Sequence, residues 1–157
     1  MKLELKHLAP YLPYGLKVQG VKHREKFNNS SNYLLNGLAL QDCGNAKYEF
    51  IHKGELIFAM VSDKNWKPIL RPLSDLTKEI TVNGEDFVPY EHHIFIEAMT
   101  ANEYLEYLCE AKADLSEDRL LPYSIVHLLF EWHFDVFGLI DKGLAIDINT
   151  LNKYETN

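Results

Sequence analysis

The apolar positions of this chain follow two rhythms. In the first half they alternate with polar ones, the period of a half-buried strand. Leu16–Val21, Tyr33–Leu40, Lys47–His52 and Glu55–Val61 each read as a strand. Between them lie turn and loop signals: Asn28-Asn-Ser-Ser31, Asp42-Cys-Gly44-Asn45 and Lys53-Gly54. Turns this short favour antiparallel neighbours. Four such strands need closure or a helical cover, because a bare sheet leaves an apolar face in water. Ahead of them, Pro10 and Pro13 break any helix begun by Leu3, Leu5 and Leu8.

The second rhythm belongs to Leu120–Leu151, the most apolar stretch. Pro122 suits a first helical turn, and Ile125, Leu128, Leu129, Trp132 and Val136 then recur at three- and four-residue steps. Trp132 has the area to join this helix to the sheet and is expected to be buried. His133–Asp135 reads as the helix end, Gly143 as a left-handed stop, and Leu144–Asn149 as a short strand returning to a sheet. Trp66–Leu76, with two prolines, reads as a connector. Ser74 can cap a short helix through Ile80. Asn83-Gly84 is a turn, either in a hairpin or between that helix and an extended segment; the spacing of Leu73, Leu76 and Ile80 favours the second. Thr100–Glu103 forms a capping box that opens a further helix to about Ala113.

The expected fold is therefore α+β. An antiparallel, strongly curved or barrel-like sheet occupies about residues 14–72, the mainly β sub-region. A mainly α sub-region, 73–149, makes a helical C-terminal half with a short last strand. The 157 residues suit one domain, and 46% hydrophobic with 25% charged is ordinary for a soluble protein. Met1–Pro10 lacks a signal peptide's apolar core, no run suits a membrane span, and Cys43 and Cys109 form no CxxC pair. These points predict a cytoplasmic protein with reduced thiols.

Charge divides the chain. Residues 1–71 hold 11 Lys/Arg against 6 Asp/Glu, and residues 72–157 hold 5 against 17, giving +5 and −12 and the total of −7. Lys17, Lys22, Arg24, Lys26, Lys47, Lys53, Lys64, Lys67 and Arg71 are interleaved with Tyr33, Tyr48, Phe50 and Trp66. Exposed on a sheet, such a set stacks and neutralises single-stranded nucleic acid. Against this stands the chain's acidity, with a pI near 5.5.

The best candidate for metal chemistry is His127, Glu131 and His133. His127 and Glu131 lie one helical turn apart and can share a divalent cation. His133 sits about 200° round a regular helix from Glu131 and joins only if the helix unwinds. The bland alternative is a polar edge, with Asp135 capping the next turn. Glu91-His92-His93 is a second acidic–imidazole group. No HExxH, GxSxG, GxxxxGK[ST] or GxGxxG is present, so no catalytic or cofactor-binding residue is assigned.

The blocks Pro10–Lys17 (PYLPYGLK), Lys67–Leu76 (KPILRPLSDL), Asn83–Pro89 (NGEDFVP) and His133–Asp147 (HFDVFGLIDKGLAID) together resemble a family of small proteins encoded in prophages and mobile elements of Bacteroides-type bacteria. The resemblance implies a phage or prophage context and an intracellular location, and it carries no activity or ligand.

Three functional expectations follow. The first is a non-enzymatic binding or adaptor module for an unknown protein partner or nucleic acid. The second is a metal-dependent hydrolase or nuclease using His127, Glu131 and His133. The third is an acidic protein that occupies a basic nucleic-acid-binding surface of a host protein through Glu97, Glu103, Glu106, Glu110, Asp114, Glu117 and Asp118.

Overall fold

The computed structural model describes residues 2–20, 31–40, 46–52, 54–92 and 122–153. Eight strands and one α-helix organise them: β1 Lys17–Gly20, β2 Ser31–Leu40, β3 Ala46–His52, β4 Glu55–Met60, β5 Trp66–Leu70, β6 Ile80–Val82, β7 Glu85–Phe87, α1 Tyr123–Glu131 and β8 Ile146–Asp147. The four alternating stretches of the first half are all strands. They pair as an antiparallel meander, β1 to β2 to β3 to β4. A register shift between Leu35 and Gly37 against β3 bends β2.

The sheet is open and does not form the expected barrel. Its order is β4-β3-β2-β1-β5-β8, so β4 and β8 are opposite edges. Closure would need β5 to return to β4. Instead β5 runs antiparallel along the free side of β1, with Val18 opposite Pro68, and takes β8 in parallel on its far side. Trp66–Leu76 is thus only partly a connector. Pro68 removes one ladder donor, and that loss is outweighed by burial of Trp66, Pro68, Ile69 and Leu70. Strands buried on both faces do not alternate, which hid this one.

The helical C-terminal half is also corrected. Among the described residues that part is one nine-residue helix, α1, with short 3-10 turns and three strands. Leu73, Leu76 and Ile80 are all buried, as their spacing implied. A 3-10 turn over Leu73–Asp75 followed by an extended run achieves this without a longer helix. Asn83 and Gly84 both have positive φ, 54° and 87°, which is the type I′ turn. That geometry selects the hairpin β6–β7, with Ile80 opposite Phe87, over the helix end. The capping box at Thr100, both cysteines and the whole acidic run 97–118 fall outside the described residues.

Two cores result. The sheet core gathers Leu8, Tyr11, Leu16, Val18, Tyr33, Leu35, Tyr48, Phe50, Trp66 and Leu70, with Leu139 and Ala145 from the C-terminal stretch. The second gathers Leu73, Leu76, Ile80, Ile125, Leu128, Leu129, Trp132, Phe134 and Val136, and Phe130 packs against both. No described helix is long and apolar enough to cross a membrane.

Candidate functional site

The end of α1 decides where the polar residues go. His133 N–H donates to the Phe130 carbonyl, 3.1 Å, and Phe134 N–H to the Leu129 carbonyl, 2.8 Å. These two bonds are a Schellman motif, in which the residue after the cap turns left-handed. Glycine or asparagine ordinarily fills that place. Here it is His133, at φ 59°. A left-handed histidine costs on the order of 1 kcal/mol or more, so the fold holds this ring where it is against a local preference. The chain then runs along β5: Arg71 N–H donates to the His133 carbonyl and Asp135 N–H to the Arg71 carbonyl, each 2.8 Å. Arg71 and His133 are thereby tied by backbone.

The second tie is Tyr14, at the end of the 3-10 segment Ala9–Tyr14, where Gly15 turns left-handed at φ 72°. Its backbone carbonyl acts on the His133 ring and favours the ring's protonated form. Its hydroxyl meets His127 Nε2 at 2.8 Å. Nε2 of the His133 ring is buried without a partner among the described residues, and so is Arg71 Nε. Both residues line one cleft of about 580 Å³, with Pro13, Tyr14, Lys17, Leu34, Ile69, Thr81, Val82, Asn83, Glu131, Trp132 and Ile148. A neighbouring cleft of about 470 Å³ shares Val82, Asn83, Glu131 and Trp132 with it.

Charges of both signs meet at the cleft, Lys17 and Arg71 with Glu131. Burial lowers the His133 pKa below its ordinary value, the Tyr14 carbonyl works against this, and the charges of Arg71 and Lys17 lower it further. The ring is therefore held neutral. Burial also lowers the Arg71 pKa, opposed by the carboxylates of Asp75 and Asp147. Among the described residues Arg71 forms no salt bridge; its guanidinium lies 6.0 Å from the Phe134 ring centre. Glu131 brings one carboxylate to the rim, and it faces His127 Nδ1 at 3.8 Å.

The candidate metal ligands do not gather. His127 is engaged by Tyr14 on one nitrogen and faces Glu131 on the other, while His133 has turned away through the left-handed residue and its ring lies over Tyr11, 6.5 Å between centres. Among the described residues no three His, Cys, Asp or Glu side chains are grouped as a metal ion requires. Asp135 caps the following turn as expected: its oxygens accept from Leu139 N–H at 2.8 Å and Ile140 N–H at 2.7 Å. Burial pushes the Asp135 pKa up, and these two N–H groups pull it back. His92 packs edge-on to Trp132, centres 5.2 Å apart, and His93 lies outside the described residues.

The expected nucleic-acid platform is not on the surface. Tyr33, Tyr48, Phe50 and Trp66 are all buried. Tyr33, Phe50 and Trp66 pack on one another with ring centres 4.8–5.5 Å apart. Sequence reasoning placed Arg71 in the basic set for nucleic acid and not beside His133, because it stood in what read as a connector. It also missed the left-handed His133; the signal available was a helix stop with no glycine. Comparison of the chain with protein-family models, with curated proteins and with solved structures gave no match.

Proposed function

We propose that this protein is a non-enzymatic binding module whose ligand sits in the cleft between Tyr14–Lys17, the end of α1 and the β6–β7 hairpin. The observation that carries this reading is His133. A strained left-handed residue stands where glycine would serve the fold; it lines the cleft beside Arg71, and each of the two carries a buried nitrogen, Nε2 and Nε, without a partner among the described residues. Unsatisfied buried nitrogens cost stability unless something completes them. A cleft of this volume, lined by polar groups as well as by Leu34, Ile69, Val82 and Trp132, suits a small ligand or the side chain of a partner. Nucleophile and base are not paired here, which is why binding is favoured over catalysis. The sequence blocks that resemble prophage-encoded proteins supply the setting for such a module.

The test is an amide and indole chemical-shift survey of the full chain against small soluble fragments. Binding in the cleft moves Val82, Trp132 and His133 together. Fragments that bind only elsewhere, or none that binds at all, would remove the reading.

A further inference from the structure

The sheet ends on β4, and the open side of that strand is built differently from the opposite edge. We propose that two copies of the chain join there, β4 against β4, antiparallel about a two-fold axis at Phe58, to make one continuous sheet. This surface is separate from the cleft, and the join does not depend on the binding reading above.

Three observations lead there. First, the edge lacks the usual guards against pairing. β8, at the opposite edge, is two residues long and offers little to pair with. β4 keeps unbroken register with β3 from Glu55 to Met60, without a proline, a lysine or a bulge. Among the described residues nothing pairs with its far side. Val61 N–H bonds across to the Ala46 carbonyl, 3.0 Å. Bonding direction alternates along an antiparallel strand, so Ile57 and Ala59 also turn toward β3. Leu56, Phe58 and Met60 turn their N–H and C=O groups to the open side.

Second, the strand is apolar on both faces. Leu56–Val61 is an uninterrupted apolar run, the pattern of a strand covered on both sides rather than one with a wet face. Ala59 and Val61 are buried in the sheet core. On the outer face, however, Leu56 and Phe58 are 54% and 50% exposed, beside Ile51 at 55%, the cross-strand neighbour of Leu56. Lys47 and Glu49 bound this strip on the β3 side, with the Lys47 ammonium 5.7 Å from the Phe58 ring centre.

Third, the strand complements itself. With Phe58 opposite its copy, Leu56 falls opposite Met60 and Ile57 opposite Ala59, so these rows meet as apolar pairs. Phe58 exchanges both backbone bonds with its copy, and Met60 N–H donates to the Leu56 carbonyl of the copy. The Met60 carbonyl already accepts Asp63 N–H, 2.9 Å, which ends the pairing at that residue. Glu55, the one charge on β4, falls opposite Val61, at the copy's turn that carries the exposed Lys64. Neither Glu55 nor Lys64 has a salt bridge among the described residues. Opposite charges therefore come together at both ends of the join, and the two Glu55 side chains stay at opposite ends. That complementarity selects a second copy as the occupant.

A join of one strand is small for a specific interface, so the dimer should have a Kd on the order of 10–100 µM. The full-length chain is followed by sedimentation velocity from about 1 µM to about 1 mM, with amide hydrogen exchange read residue by residue at both ends of that range. The mass should rise from one chain to two. The Phe58 and Met60 amides should exchange fast in the monomer and slowly in the dimer, while Ile57 and Ala59, bonded to β3, are protected in both. Phe58→Lys sets two charges against each other on the axis. It should weaken the dimer at least about thirtyfold and leave the melting temperature unchanged. Should that variant fail to fold, charge reversal decides: Glu55→Lys and Lys64→Glu should each weaken the dimer about fivefold, and the two together should restore it. A chain that stays monomeric throughout the range overturns the proposal. So does a dimer whose Phe58 and Met60 amides stay fast, or one that the double reversal fails to restore. A foreign extended peptide that protects those amides on a monomeric chain gives the edge to another occupant and overturns it too.

Discussion

The sheet core and the core under α1 are assembled from the chain in opposite ways. The first takes one or two side chains from each of many stretches, from Leu3 to Ala145, and its central residues Val18, Tyr48 and Phe50 are fixed by strand register. The second is made almost entirely by two stretches, Leu73–Ile80 and Ile125–Val136. A core with many independent contributors spreads the loss of any one of them. A core with nine buried residues among those described, drawn from two stretches, does not. The smaller core also reaches the cleft, through Trp132, whereas Leu34 and Lys17 reach it from the sheet. The cleft is therefore a seam, and its shape depends on both cores being in place.

The largest expected effect tests that dependence. Trp132 is 5% exposed and packs against Phe87 and His92, with ring centres 5.0 and 5.2 Å away. Trp132→Ala should destabilise by about 3–5 kcal/mol, read by chemical denaturation, and should also remove the cleft's apolar wall. Trp66 is its counterpart in the sheet core, lying so close over Gly20 that a Cβ there would sit 2.9 Å from the indole. Trp66→Ala should cost a similar amount yet leave binding intact in the fraction that stays folded. Equal loss of binding in both variants would mean that the two cores are not separable.

Alkali should strike the sheet core next. Tyr11 and Tyr48 are fully buried, and burial pushes both phenols above their ordinary value; in Tyr11 a hydrogen bond from Val136 opposes this and the charge of Asp135 adds to it. The folded chain keeps these protons at pH values where the unfolded chain releases them. Their contribution is complete below pH ~10 and is lost as the pH rises above it. The loss should be about 1.4 kcal/mol per pH unit for each tyrosine, or about 2.7 for both. A denaturation series from pH 9 to 11 measures the slope, and a flat profile would contradict the burial of both hydroxyls.

The two cores also differ in how far the sequence disclosed them. Alternation placed all four meander strands, because each has one wet face. It failed for β5, whose Trp66, Pro68, Ile69 and Leu70 are all buried and whose proline looked like a breaker. The α1 stripe was legible, with Ile125, Leu128, Leu129 and Trp132 buried as read. Helical spacing misled at Leu73, Leu76 and Ile80, since a 3-10 turn and an extended run bury the same three side chains. Of the cleft, His133 and Glu131 had been singled out as metal ligands, Lys17 and Arg71 as members of a basic set for nucleic acid, and Trp132 as a buried aromatic. Arg71 and Tyr14 come to His133 through strand pairing and the left-handed turn, both long-range outcomes that a local pattern does not encode.

That left-handed turn gives a smaller effect of opposite sign. His133→Gly removes the strain of a non-glycine residue at φ 59° and keeps the Schellman bonds. It also removes the ring's interaction with the Tyr14 carbonyl and its contact with Tyr11. The two contributions are each about 1 kcal/mol, so stability should change by less than about 1 kcal/mol in either direction. A loss of several kcal/mol would show that the ring is a structural part of the seam rather than a group kept for the ligand.

The smallest effect is expected where the sheet core carries a polar atom that nothing satisfies. Tyr48 lies opposite Leu38 and Ala59 in the middle of the meander, fully buried, and its hydroxyl has no partner among the described residues. Tyr11 has the contrasting environment: its hydroxyl donates to the Phe134 carbonyl at 2.7 Å and receives Val136 N–H at 3.3 Å. Removing the Tyr11 hydroxyl strands both a carbonyl and an amide, so Tyr11→Phe should cost about 1–3 kcal/mol. Removing the Tyr48 hydroxyl strands nothing. Tyr48→Phe should change stability by no more than about 0.5 kcal/mol, and a gain is consistent with relief from a buried unpaired hydroxyl. The same substitution should halve the alkaline slope, because one of its two protons is gone. If Tyr48→Phe instead costs as much as Tyr11→Phe, its hydroxyl does have a partner, and the contrast between an unpaired hydroxyl at Tyr48 and a hydrogen-bonded one at Tyr11 no longer holds.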